Sequence, residues 1–139
     1  MSSIEKVIAK WRADGVELLT PSDEAQIVAV ISSSGQRLSR DVAELYHATG
    51  GMPDGVMDAL CFSLWPLDRV TAENQRHQDA GVLFADFLID SHVYLFRYGN
   101  AETSSVHVEY GDGKGPQRLA DSVSEFFELY LDNSEKIGL

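Results

Sequence analysis

The spacing of apolar residues changes twice along this chain, from a helical period to strict alternation and back, and that order of periods limits the fold more than any other feature. Ile4, Val7, Ile8 and Trp11 recur at i, i+3, i+4 and i+7, the stripe of an amphipathic helix. Ser2 and Glu5 stand at capping-box spacing ahead of it, and Gly15 can take the left-handed conformation that ends it. Thr20-Pro21-Ser22-Asp23-Glu24 predicts a second helix, with a cap, a proline in the first helical position and acids in the first turn, running to about Ser33. Ser39 predicts the cap of a third, with Val42, Leu45 and Tyr46 turned inward and Gly50-Gly51 as its stop.

After Met52-Pro53-Asp54-Gly55 the period shortens to that of strands. Cys61 to Trp65 reads as a short strand ended by Pro66, and a brief helix is expected from Asp68 to Gln75. Val82–Ile89 and Val93–Tyr98 are β-rich runs broken by Asp90-Ser91-His92, a hairpin without the usual turn glycine. A loop of even length puts Ala85, Phe87 and Ile89 on one face with Tyr94, Phe96 and Tyr98, and Asp86 with Arg97 on the other. Val106, Val108 and Tyr110 alternate with His107 and Glu109 in a further half-buried strand. Gly111 to Pro116 reads as a connecting turn and Gln117 to Ala120 as a short strand. Ser122 and Glu125 then repeat the capping-box spacing before a helix with Val123, Phe126, Phe127 and Tyr130 on one stripe. The fold expected is α+β in one domain, residues 1–139: N-terminal helices, an antiparallel sheet of about four to six strands, and a C-terminal helix packed on the sheet.

Charge narrows the partners. A net −11 is spread evenly, −5 up to Gln75 and −6 beyond, and no cluster of Lys and Arg interrupts it, so direct binding of nucleic acid or of an anionic membrane is disfavoured. No run approaches the roughly 18 apolar residues of a spanning helix. Cys61 is the single cysteine, which forbids an internal disulfide and makes the cytoplasm the expected compartment.

Chemistry-bearing patterns are sparse. Gly111-Asp112-Gly113-Lys114-Gly115 lacks the Ser or Thr that follows Gly-Lys in a phosphate-binding loop. His47, His77 and His107 fall on separate elements without ligand spacing, so neither a metal nor a cofactor is expected. Cys61, Trp11, Trp65, Phe62, Phe84 and Phe87 read as core. Asp86, Asp90 and His92 can be drawn as acid, base and orienting group of a small enzyme, against the plainer reading in which Asp86 neutralises Arg97 across the hairpin and Asp90 shapes the turn. No catalytic residue is assigned. The less apolar sheet face, with Asp86, Arg97, His107 and Glu109, is the expected protein-binding patch.

Four stretches, in order, resemble the SUKH superfamily, named in part after the Smi and Knr cell-wall regulators of yeast. They are Leu38 to Gly51, a helix running into a Gly-Gly turn; Trp65-Pro66-Leu67; Phe84 to Ser91, similar to a characteristic strand and turn; and Ala120 to Leu131, similar to the family's last helix. The chain departs from the common form where Ala48-Thr49 replaces a polar Asn and Leu38-Ser39 a frequent Leu-Pro. The resemblance implies a non-enzymatic protein-binding domain. Many bacterial members look like immunity proteins that neutralise a cognate toxin, often a nuclease, passed between competing cells; the fungal relatives imply the alternative, a regulatory scaffold of envelope assembly. An acidic surface suits a partner with a basic cleft.

Overall fold

The computed structural model describes residues 1–75 and 81–139. Three helices come first, α1 (Ser3–Ala13), α2 (Glu24–Ser33) and α3 (Arg40–Ala48). Strand β1 (Phe62–Leu64) and helix α4 (Leu67–Glu73) follow. Strands β2 (Val82–Phe87), β3 (His92–Tyr98), β4 (Ser104–Glu109) and β5 (Gln117–Ala120) lead into α5 (Val123–Asp132) and a closing 3₁₀ turn, Ser134–Ile137. The sheet is an antiparallel meander in the order β1-β2-β3-β4-β5. Its fold class is therefore the mixed α+β one that the change of period predicts, with the last helix after the strands.

The predicted stripe of α1 is its buried face, and Ser2 Oγ accepts the Glu5 N–H at 3.2 Å. Trp11 meets α5 there: its ring lies edge-on to Phe127 and Tyr130 and stacks on Phe62 of β1. Phe126 of α5 reaches Phe62, Phe84 and Tyr94 on the sheet, so the core is an aromatic layer between α5 and the strands.

Several boundaries differ from the sequence reading. Helix α2 begins at Glu24, not beside Pro21, because residues before it are held as an extended strap. Leu19 exchanges backbone bonds with Gly50 and Gly51, the Ser22 N–H donates to the Tyr46 carbonyl, and Asp23 makes the full capping box with Gln26. Cys61 lies outside β1, half-buried at φ +63°, its N–H donating to the Asp58 carbonyl and its own carbonyl accepting from Leu88. Tyr110 falls beyond β4 and is exposed, packing edge-on against His92 rather than in the core.

The hairpin loop is even, so Ala85, opposite Tyr94, and Phe87, opposite His92, keep the expected face. Strand β2 ends at Phe87, however, so Ile89 leaves that face for the exposed turn and His92 joins β3. Strand β2 also carries a bulge in which Leu83 pairs with Leu95 and Phe84 is the extra residue. That bulge turns Phe84 inward to stack on Phe96, and its carbonyl accepts the Trp65 N–H at 2.9 Å. Asn74 continues the edge where β1 has stopped, its side-chain amide bonding both the N–H and the carbonyl of Leu83.

Candidate functional site

Asp86 is the centre of the most structured polar cluster on the outer sheet face. It sits opposite Val93, four residues before Arg97 along β3, so the cation that meets it is not Arg97 but Arg69 of α4, whose Nη2 lies 3.1 Å from its carboxylate. The indole Nε1 of Trp65 donates to the same oxygen at 3.1 Å, and the Arg69 guanidinium stacks on the Trp65 ring at 4.3 Å. Burial raises the Asp86 pKa from its ordinary value; the Trp65 hydrogen bond and the Arg69 charge oppose that rise. Arg69 also reaches Asp90 at 3.5 Å, linking the buried carboxylate to the exposed β2–β3 turn.

The four residues of the predicted patch do share this face. Register places Asp86, Val93 and Glu109 in one row, Leu83, Leu95 and His107 in the next, and Arg97 beside Ser105 beyond them. Accessibility divides them. Asp86 and His107 are buried, Glu109 is half-buried and Arg97 exposed. His107 Nε2 is 2.8 Å from Ser105 Oγ, and burial, with Arg97 and Arg118 nearby, lowers its pKa to about 4, so the imidazole is neutral at pH 7.

Asp86, Asp90 and His92 are not brought together. Adjacent pairs of an antiparallel ladder face opposite sides, so His92, opposite Phe87, turns to the core side. Its ring stacks on Phe87 at 4.7 Å and its Nε2 lies 3.1 Å from Tyr94 Oη. Of the other histidines, His47 is exposed on α3, and His77 lies outside the described residues. Among the described residues no three His, Cys, Asp or Glu side chains are grouped to hold a metal ion, and no helix is long and apolar enough to cross a membrane.

Two further aspartates carry roles with no local signature. Asp58 accepts from Trp11 Nε1 at 2.8 Å, from Tyr130 Oη, and from the Leu60 and Phe62 N–H groups, clasping α1, α5 and the entry to β1. Asp41 accepts from Ser39 Oγ at 2.6 Å, from the Ser104 N–H and from the Val123 N–H at 2.9 Å, tying α3 to β4 and to the start of α5. Ser39 therefore occupies the cap position of α3 but spends its hydroxyl on Asp41 and Ser104 instead of on the helix.

A groove runs along the edge of this cluster. One cavity of about 640 Å³ is lined by Leu19, Pro66, Arg69 and Ile89 among others; a second of about 550 Å³ continues past Leu19 and Pro66 to α2. Gly50 lines the second cavity, and neither it nor Gly51 has room for a side chain: a Cβ on Gly50 would stand 2.1 Å from the Thr20 carbonyl oxygen and one on Gly51 2.9 Å from the Trp65 backbone. At its other end the β2–β3 turn holds Leu88, Ile89 and Asp90 at φ +48°, +52° and +63°. No local sequence signal marks that conformation, which normally falls to Gly or Asn.

None of the models of known protein families matches the chain, and a search of curated proteins finds no relative.

Proposed function

We propose that the chain is a SUKH-like, non-enzymatic protein-binding domain that acts in the cytoplasm as an immunity protein, blocking a toxin delivered between competing cells. The observation that carries this reading is the way the four family-like stretches join. Asp41 of the first accepts the Val123 N–H of the fourth. Gly51 of the first lies against the backbone of Trp65 and Pro66 in the second. Trp65 of the second donates to Asp86 of the third. Segments scattered over the chain thus form one connected frame, the arrangement expected of a shared fold.

The charge is compatible with a toxin partner. Enzymes that cut nucleic acid present basic clefts, and a partner of net −11 gains association rate and selectivity against such a cleft.

Affinity capture of the tagged protein from its native cell at low salt, with mass-spectrometric identification, tests the proposal. The expected result is one near-stoichiometric partner ending in a small toxic domain, whose toxicity the purified chain abolishes and whose association slows as salt rises. Capture of envelope-assembly proteins instead would replace it with the scaffold reading.

A further inference from the structure

We propose that the partner docks in the groove between the Leu19 strap, Pro66 and the β2–β3 turn, with Ile89 as the apolar anchor and a basic, apolar-containing segment of a protein as the occupant. This rests on the protein-binding reading above and locates its surface away from the Arg97 and Glu109 side of the sheet.

Three observations converge on that place. The two cavities share Leu19, Pro66 and Asp68, so they form one continuous depression long enough for a chain segment. Its end wall is a turn that exposes two large apolar side chains, Leu88 at 49% and Ile89 at 68% of their surface. The turn does so in three consecutive left-handed residues without a glycine, one of them β-branched. Exposure and strain are both unfavourable to folding, and a Gly or Asn at the same position would relieve both. A binding role for the apolar side chain accounts for its being there.

Charge fixes the occupant. Asp54, Asp68 and Glu73 line the first cavity, and the one cation among its described lining residues, Arg69, is already met by Asp86 and Asp90. The depression thus combines an apolar end with a negative wall, which suits Lys or Arg flanking an apolar side chain. A second copy of the chain would bring another net −11 to the same wall.

The test uses the full ¹⁵N-labelled chain and two synthetic peptides of equal length and charge, one alternating Arg with Leu and one alternating Arg with Ser. The Arg-Leu peptide should perturb amides around Leu19, Asp68 and Ile89, and bind about tenfold more tightly than the Arg-Ser peptide. Ile89→Asn should abolish that preference while raising the melting temperature by about 2 °C or more, since Asn accepts the left-handed conformation. Asp68→Asn, in the stretch common to both cavities, should weaken both peptides alike. Perturbations centred on Arg97 and Glu109, equal affinities for the two peptides, an unaltered preference in Ile89→Asn, or peptide-free self-association through the groove would each overturn the assignment. The capture experiment separates this from the toxin reading. A toxic partner held equally well by Ile89→Asn removes the groove and keeps the toxin; groove-confined peptide binding with a non-toxic partner does the reverse.

Discussion

Asp58 and Asp86 are the same residue type, both nearly excluded from solvent, yet they are satisfied in opposite ways. Asp58 is met entirely by neutral donors inside the protein: an indole, a phenol and two backbone amides, all belonging to elements that it clasps. Asp86 is met by one indole and by a cation whose other ion pair is with an exposed aspartate on a strained turn. The first arrangement fixes a core. The second connects the interior to the rim of the groove, and its strength depends on charge and therefore on pH.

The largest effect should come from breaking the neutral clasp. Asp58→Ala leaves Trp11 Nε1, Tyr130 Oη and two backbone N–H groups without their acceptor, and is expected to cost about 3–5 kcal/mol in urea unfolding. A loss below 1 kcal/mol would show that water replaces the carboxylate freely and that the contrast with Asp86 is illusory.

Arg69→Met probes the charged arrangement. With the cation gone, Asp86 is buried with the Trp65 indole but no opposite charge to meet it, and the loss at pH 7 should be about 2 kcal/mol. Burial already holds the Asp86 pKa above its unfolded value of about 4, so the folded state takes up this proton before the unfolded state does as pH falls. The stability difference between Arg69→Met and the parent should therefore shrink as pH drops from neutral through the raised Asp86 pKa toward that unfolded value. A difference independent of pH would mean that Arg69 contributes by packing on Trp65 and not by its charge.

Asp90→Asn should do least. The Arg69 contact there is 3.5 Å long and Asp90 is exposed, and Asn keeps the left-handed conformation, so a change under about 0.5 kcal/mol is expected in the same unfolding measurement. A loss comparable to that of Arg69→Met would place the turn, and not Asp86, at the centre of the cluster.

Elements whose cause is local could be read from the sequence. The stripe of α1, the Ser122 cap of α5 and the alternation of Val106 and Val108 each reside within a few residues and reappear in the structure. What escaped has its cause far away in the chain. Asp58 is separated from Trp11 by 47 positions and Asp41 from Val123 by 82, so nothing near either aspartate announces these distant partners. The start of α2 moved for the same reason, since the strap before it is held by Tyr46 and Gly50. The patch of Asp86, Arg97, His107 and Glu109 was placed correctly on one face by alternation, but alternation is silent on depth, and two of the four are buried. The left-handed turn was missed because Leu88 and Ile89 are poor candidates for it by composition, which is the ground for giving them a role.

The meander has a consequence for the order in which the molecule is made. Every strand pairs with its neighbour in sequence, so the sheet can form from local hairpins with short loops to close. Helix α1 is different: its Trp11 rests on Phe127 and Tyr130 of α5, at the far end of the chain. During synthesis α1 leaves the ribosome before α5 and must wait for that cover. Its apolar stripe stays unburied by α5 until the strands between the two helices have emerged, which leaves α1 in need of protection on the nascent chain.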